Sequence, residues 1–88
     1  MDTFAALADP TRRRIVEMLA EGELPAGEIA RRFDMTPPAV SQHLKVLRES
    51  ELVRVRPQAQ RRLYALDPRG LAALDAWLAR YRRFWSER

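Results

Sequence analysis

The stretch Thr36–Leu47, TPPAVSQHLKVL, has the features of a short helix with a sharply defined start. Thr36 is predicted to cap it, because a threonine hydroxyl accepts a hydrogen bond from a free backbone N–H of the first turn. Pro37 suits the first helical position, where its missing N–H costs nothing and its φ is already helical. The apolar residues that follow recur at helical spacing and predict one narrow buried stripe: Val40, Leu44 and Leu47.

The side of this helix opposite the stripe carries small residues, an amide, a hydroxyl and one cation. On a wheel of about 100° per residue, that side comprises Pro38, Gln42 and Lys45, flanked by Ala39 and Ser41. Side chains of these types can approach a base edge or a phosphate closely. The face therefore has the chemistry of a surface that reads nucleic acid.

His43 lies beside the apolar stripe rather than opposite it. We expect a packed, hydrogen-bonded histidine that supports the helix, with a DNA contact as the alternative. A metal site is not expected, because a single histidine cannot assemble the usual three or four ligands.

A second short helix precedes this one. Pro25 marks its start, and it is predicted over residues 26–33 with Ile29 and Phe33 facing inward. Asp34 and Met35 then form a tight connection to the next helix. Two short helices joined by about three to four residues, the second capped and polar on its outer side, are typical of a helix-turn-helix.

After residue 49 the sequence period changes from helical to alternating. Residues 52–56 and 62–66 are rich in β-branched and aromatic side chains with interleaved arginines, which predicts two strands. Residues 57–61 are predicted to form the loop between them, with a polar and cationic tip. Residues 52–66 therefore form a predicted hairpin wing, in which Tyr64 is expected to pack at the hairpin–helix junction rather than stack on a base.

Helices are predicted at both ends of the chain. Residues 3–8 form a short one, and residues 10–21 form a second that begins at the cap–proline pair Asp9-Pro10 and stops before Gly22. A last helix over residues 68–86 begins at a similar Asp-Pro pair. Arg12, at the start of the second helix, is expected to lie in solvent with its neighbours Arg13 and Arg14, and phosphate contact is the alternative.

The last helix carries an apolar seam with steps of 3, 4, 3 and 4 residues. This seam extends past what the core of an 88-residue chain could cover, so pairing with a second copy is preferred over packing on the same domain alone. The aromatic side chains are accordingly expected to form an interface rather than a ligand pocket. The predicted dimer interface comprises Phe4, Leu7, Leu71, Leu74, Trp77, Leu78, Tyr81 and Trp85.

The charge is concentrated around the predicted helix-turn-helix and wing. The chain carries a net charge of +4, and all but one of its 16 Lys and Arg residues are arginine. A GC-rich genome would explain the excess of arginine over lysine as well as nucleic-acid binding would. The positions of the basic residues along the chain are more informative than their total number. Between residues 35 and 66 only Glu49 and Glu51 oppose a set of basic side chains, which is the footprint expected for nucleic acid: His43, Lys45, Arg48, Arg54, Arg56, Arg61 and Arg62.

Several classes of protein are disfavoured by composition. The chain has no cysteine, so it has no disulfide framework and no thiolate metal site. We see no nucleophile–base pair, Gly-rich phosphate loop or carboxylate pair in an apolar setting, and we predict no enzyme and no cofactor. We find neither a signal peptide nor a membrane-spanning run. A cytoplasmic, nucleoid-associated protein is the expectation.

Three motifs together resemble the ArsR/SmtB family of bacterial winged-helix repressors. They are VSQHLKVLRESELV at residues 40–53, ALADPTRRRI at 6–15 and RRLYALDP at 61–68. The resemblance implies a mostly α (α+β) winged helix-turn-helix with a two-stranded β-hairpin wing, and with N- and C-terminal helices that form a dimer interface. It also implies a homodimer that places two recognition helices in successive major grooves of an inverted-repeat operator. In many members of the family, an inducer relieves the resulting repression.

The resemblance also assigns the DNA-contacting positions. Ser41 and Gln42 match the residues that meet base edges, and Thr36, Pro38 and Lys45 match the turn around them. The wing positions, which in the family reach toward flanking phosphates or the minor groove, are Arg54, Arg56, Arg61 and Arg62.

The chain departs from the family pattern in three ways. The usual metal-ligand cysteines and histidines are missing, so we expect no standard metal site. Glu51 stands where glycine is common and would be mildly strained if the backbone needs a positive φ there. Pro38 follows Pro37, which removes two backbone donors and rules out N–H contacts to phosphate at those positions. The alternative function, a winged-helix adaptor that binds protein, would be expected to show an apolar outer helix face and an acidic or neutral wing.

Overall fold

Five helices and a three-stranded antiparallel sheet form the domain in the computed structural model, which describes residues 2–86. The elements follow in this order: α1 (Thr3–Leu7), α2 (Pro10–Leu19), β1 (Leu24–Pro25), α3 (Ala26–Arg31), α4 (Pro37–Glu49), β2 (Val53–Gln58), β3 (Arg61–Leu66) and α5 (Pro68–Ala79). A 3-10 turn at Arg82–Phe84 follows α5. The predicted fold class is confirmed: α3 and α4 form the helix-turn-helix, and β2 and β3 form the wing.

The predicted cap–proline starts are present. The Thr36 hydroxyl accepts a hydrogen bond from the N–H of Ala39 at 3.3 Å and begins α4. The Asp9 carboxylate accepts one from the N–H of Arg12 at 3.0 Å and begins α2, and this bond is the main reason why the pKa of Asp9 lies below its usual value. These caps are local in sequence, which is why the pattern alone located them.

Asp67 caps α5 and is buried. Its carboxylate accepts hydrogen bonds from the Arg69 guanidinium at 2.7 Å and from the Arg69 N–H at 3.0 Å. These bonds, the side-chain bond first, lower the pKa of Asp67 to about 2. The cap therefore stays ionised at neutral pH and fixes the start of α5.

The base of the wing is closed where α4, β2 and α5 meet. The N–H of Leu52 donates to the carbonyl of Leu47 at 3.0 Å, and the carbonyl of Leu52 accepts from the N–H of Asp67 at 2.9 Å. Glu51 has a φ of 61°, and its carbonyl accepts from the N–H of Gly70 at 2.8 Å. A Cβ at Gly70 would lie 2.5 Å from that carbonyl oxygen, so only glycine fits this contact.

The sheet contains one strand that the sequence analysis missed. β1 pairs with β3, opposite Tyr64 and Leu63, and gives the strand order β1-β3-β2. This strand is only two residues long, and one of them is a proline, so it has no alternating pattern to detect. It connects the start of α3 to the wing.

The core lies between α4 and the elements around it. The predicted stripe of α4 is buried together with Val46. The stripe packs in one cluster with residues from α1, α2, α3 and the wing: Ala6, Ile15, Leu19, Ile29, Leu52, Val53 and Tyr64. Since every neighbouring element contributes to this cluster, the orientation of α4 is set by the whole domain. The expected junction packing of Tyr64 is present.

The helix predicted over residues 68–86 ends earlier, at Ala79. The N–H groups of Arg80 and Tyr81 donate to Trp77 and Leu78, three residues back, so a tighter turn replaces the α-helix there. The α2 and α3 predictions were also too long, since these helices end at residues 19 and 31.

The expectation that the arginines at the start of α2 lie in solvent is wrong for Arg12, which is half-buried. Arg13 is exposed as expected, but its guanidinium is also hydrogen-bonded to the protein. Arg12 Nε and Arg13 Nη1 donate to the carbonyl oxygens of Ala6 and Leu7, at 2.6 and 2.8 Å. The physical reason is the length of α1, because a five-residue helix leaves most of its carbonyls without an intrahelical partner. Arg14 is exposed.

Candidate nucleic-acid interface

The outer face of α4 is open to solvent. Pro38, Ser41, Gln42 and Lys45 are all exposed, and Thr36 is exposed at the cap. The buried stripe on the opposite side holds this face outward. The predicted readers Ser41 and Gln42 are therefore accessible on a helix whose position is fixed by the core.

A concavity of about 330 Å³ lies between α4 and the wing. Three cations line it, and no carboxylate of the described residues does. An anion would therefore be attracted to this space. Its lining residues are Ala26, Ser41, Lys45, Arg48, Arg62 and Tyr64.

Arg48 is a site residue that the sequence analysis counted as basic without assigning it. It lies seven residues after Ser41, two helical turns along the same side of α4. A helical wheel extended to the last turn of α4 would have suggested it. Arg62 lines the same concavity because of the register of the hairpin. The sequence pattern does not predict that register.

The hairpin register sorts the wing arginines onto two faces. Arg62 lies opposite Pro57 and shares the face of Tyr64, which is directed toward α4. Arg54 and Arg56 alternate with the inward-facing valines and lie on the other face of the sheet. The structure therefore brings Arg62 to the recognition helix and leaves Arg54 and Arg56 apart from it.

Arg56 has an acidic partner. Its guanidinium donates to both carboxylate oxygens of Glu23, at 2.7 and 3.1 Å. This hydrogen-bonded pair lowers the pKa of Glu23 and raises that of Arg56. Because Glu23 already offsets its charge, Arg56 attracts an approaching phosphate less than an unpaired arginine would.

The wing turns more tightly than predicted. Gln58 pairs with Arg61, so only Ala59 and Gln60 connect the strands. Ala59 has a φ of 56°, the sign that two-residue hairpin turns require at their first central position. Arg61 lies at this tip and bonds the Gln58 side chain at 3.2 Å.

His43 is half-buried, and its Nδ1 lies 3.3 Å from Arg12 Nη1. This placement agrees with the expected supporting role of His43 on α4. Among residues 2–86, no group of three or more His, Cys, Asp or Glu side chains is arranged to hold a metal ion.

The residues predicted for the dimer interface lie on α1, on α5 and in the turn after it. Leu74 is partly buried against the core of its own domain, and Tyr81 is half-buried between Trp77 and Phe84, with ring centroids 4.8 and 6.5 Å away. Leu7 also packs on the core. The others remain open and form what we call the apolar surface: Phe4, Leu71, Trp77, Leu78 and Trp85.

No helix within residues 2–86 has the length and apolarity needed to cross a membrane.

Comparison with known proteins agrees with this geometry. The family described as "Bacterial regulatory protein, arsR family" matches residues 9–55. The chain is 58% identical over 83 residues to the HTH-type transcriptional regulator Rv2034 of Mycobacterium tuberculosis, a match that spans 94% of this chain and 75% of that protein. It is 32% identical over 80 residues to the transcriptional repressor SdpR of Bacillus subtilis, spanning 91% of this chain and 89% of that protein.

Solved structures show the same relationship. The crystal structure of the ArsR family transcriptional regulator RHA00566 superimposes with a TM-score of 0.84 at 36% identity, covering 98% of this chain and 89% of that chain. These relatives are transcriptional regulators rather than enzymes. The chain belongs to the arsR family of bacterial regulatory proteins, the family that its sequence motifs resemble.

Proposed function

We propose that this protein is a homodimeric, sequence-specific repressor that binds an inverted-repeat operator in double-stranded DNA of the bacterial cytoplasm. The observation that carries the proposal is the cationic concavity beside the exposed polar face of α4. One surface thus combines side chains that can read bases with side chains that can bind phosphate.

In the proposed complex, α4 enters the major groove. Ser41 and Gln42 have the donors and acceptors needed at base edges. Lys45, Arg48 and Arg62 lie between helix and wing, where they would hold the backbone of the strand that passes the groove. Since each neutralised phosphate releases counterions, affinity should fall steeply as salt rises.

The inverted repeat follows from the proposed two-fold symmetry. A dimer built on the apolar surface presents two copies of α4, and the half-sites should then lie about 34 Å apart. The similarity to SdpR, which is named a transcriptional repressor, supports repression as the outcome.

We also propose that no metal ion of the family's usual kind controls binding. The sequence has no cysteine, and the described residues offer no ligand cluster. A small-molecule inducer, a protein partner or the protein's own concentration remain the candidate signals.

A protein-binding adaptor is the competing function. An adaptor surface is usually apolar at its centre, whereas the outer face of α4 carries Gln42 and Lys45 and meets an arginine of the wing. These side chains favour DNA over a protein partner.

The test uses DNA upstream of the protein's own gene, with the bound segment located by footprinting. The double variant Ser41→Ala, Gln42→Ala should lower affinity for that segment by about a hundredfold or more, since each lost base contact costs about 1–3 kcal/mol. Sedimentation and far-UV circular dichroism should be unchanged, because both side chains are exposed.

Glu17→Ala is the matched control, since it shortens a side chain of similar size at an exposed position on α2. It should bind at least as tightly as the wild type. Wild-type affinity in the double variant would show that α4 does not read the DNA.

A further inference from the structure

The C-terminal end of α1 is held by side chains of another helix. It has five residues, and side chains of α2 satisfy its C-terminal carbonyls. Arg12 donates to the carbonyls of Ala5 and Ala6, and Arg13 donates to those of Leu7 and Ala8. Both neighbouring arginines thus cap the C-terminal end of α1.

Arg12 makes one contact that Arg13 lacks. Its Nη1 lies 3.3 Å from Nδ1 of His43, on the recognition helix. A guanidinium can only donate, so Nδ1 accepts and the proton of the neutral ring lies on Nε2. His43 directly follows Ser41 and Gln42 in the chain. Arg12 therefore links the end of α1 to the part of α4 that is proposed to read bases.

A second hydrogen bond joins the start of α1 to the C-terminal end of α4. The hydroxyl of Thr3 donates to the carbonyl of Ser50, the C-cap residue of α4, at 3.3 Å. Between these two connections, the ring of Phe4 packs edge-on against Trp77 of the apolar surface, with centroids 5.3 Å apart. α1 thus contributes to the apolar surface through Phe4 and also contacts the recognition helix.

We propose that Arg12 is a positioning residue for DNA recognition: through His43 it adds to the core packing a polar contact that aligns the recognition helix α4 with α1. Arg12 need not touch DNA for this role. The inference rests on the proposed DNA-binding function. Two other roles make different predictions: a direct phosphate contact, and support of α1 alone, which Arg13 would share.

The experiment compares Arg12→Ala with Arg13→Ala. Both variants remove one positive charge and one cap of α1, but only the first removes the bond to α4. The probes are a duplex that the wild type enriches from a random-sequence pool and a scrambled duplex of the same length and composition. Dimer formation is followed by sedimentation and folding by circular dichroism.

We expect Arg12→Ala to bind the enriched duplex on the order of tenfold more weakly than Arg13→Ala. An effect of this size corresponds to the loss of one charge-assisted hydrogen bond. Both variants should bind the scrambled duplex equally, because positioning affects only the reading of sequence. Equal affinities for the enriched duplex would overturn the inference. A loss on both duplexes, with a salt dependence reduced by about one phosphate, would assign Arg12 to the DNA backbone instead.

Variants of His43 test the same link from the other side. His43→Asn places an accepting oxygen near the position of Nδ1 and should keep most of the affinity, whereas His43→Leu should lose as much as Arg12→Ala. In the double variant Arg12→Ala, His43→Leu, the two losses should not add. Additive losses would contradict a shared contact. If Arg12→Ala folds poorly, the comparison of His43→Asn with His43→Leu decides, and equal affinities of these two variants would contradict the inference.

A readout without DNA separates this inference from the proposed function. Nitrogen NMR of His43 at neutral pH should show the proton on Nε2 in the wild type and in Arg13→Ala, and a changed Nδ1 signal in Arg12→Ala. An unchanged Nδ1 signal would refute the contact. Failure of the wild type to enrich any duplex would instead overturn the DNA-binding function, and the positioning role with it.

Discussion

Glu51 combines an unfavourable backbone conformation with a weak side-chain contact. Its φ of 61° lies in the left-handed region, which costs a residue with a Cβ about 1–2 kcal/mol. Its carboxylate lies 3.2 Å from Arg69, but both side chains are more than half exposed. Solvent screens such a pair, so it contributes little to stability. The backbone cost should therefore dominate.

Glu51→Gly should stabilise the domain by about 0.5–1 kcal/mol, because glycine adopts a positive φ without strain. The greater loss of backbone entropy on folding of glycine offsets part of this gain. The melting temperature should rise by a few degrees. Urea denaturation of the wild type and the variant measures the difference.

Glu51→Ala is the control that removes the ion pair but keeps the Cβ. Its free energy of unfolding should stay within about 0.5 kcal/mol of the wild type. A glycine variant no more stable than the alanine variant would contradict the assignment of strain to this residue.

Residue-level prediction from sequence succeeded where the partner was close in the chain. The caps at Thr36 and Asp67 bond N–H groups two or three residues away, and residue type with spacing located them. The need for glycine at Gly70 is set by a carbonyl 19 residues earlier, and the role of Arg12 by a histidine 31 residues later. Such contacts depend on how the chain folds back, and no local pattern encodes them.

At the scale of elements, the sequence predicts that the wing is a hairpin, but it does not predict the register of the two strands. The sequence pattern predicts a loop over residues 57–61, whereas the strands continue to Gln58 and resume at Arg61. A positive φ at Ala59 permits the tight turn, and alanine gives no signal for that. Without the register, all four wing arginines were equivalent candidates. The structure distinguishes Arg62 from the others.

Arg62→Ala should weaken DNA binding by several-fold to tenfold and lower the salt dependence by about one phosphate, because Arg62 faces the concavity beside α4. Arg56→Ala removes the same charge from the same hairpin, but on the opposite face and from a pair with Glu23. It should have a clearly smaller effect. Fluorescence anisotropy at several salt concentrations measures both.

Equal losses in the two variants would contradict the assignment of the wing faces. A larger loss for Arg56→Ala would mean that the outer face of the sheet meets the DNA and that the ion pair with Glu23 opens on binding.

At the scale of the whole molecule, a large apolar area has no cover within residues 2–86. Trp77 is 44% exposed, Leu78 41% and Trp85 56%. Several large apolar side chains left exposed on one helix and in the turn after it are typical of an interaction site. The sequence predicted it from a heptad-like seam. The structure divides that seam, because Leu74 faces its own core and the chain leaves the α-helix at Arg80.

We expect the wild type to sediment as a dimer at micromolar concentration, with Trp77 and Trp85 shielded from a soluble quencher. Leu78→Glu should shift it to a monomer, because the interface would then bury an unpaired carboxylate. It should also weaken operator binding, since one monomer contacts only one half-site.

Gln60→Glu is the control, since it adds the same charge at the exposed tip of the wing. This variant should remain a dimer. A wild-type monomer at micromolar concentration would refute the role of the apolar surface in self-association.

The hydrogen bond between Leu52 and Asp67 closes the hairpin at its base, so the length of the hairpin can change at its tip. Both ends of the hairpin formed by residues 53–66 meet at this base. One residue can therefore be added to each strand, as a cross-strand pair, without displacing α4 or α5. Insertions at Ala59-Gln60 could lengthen the reach of the wing along DNA while the spacing of the reading helices stays fixed. In a lineage of such regulators, the footprint on DNA and the distance between half-sites could therefore evolve independently.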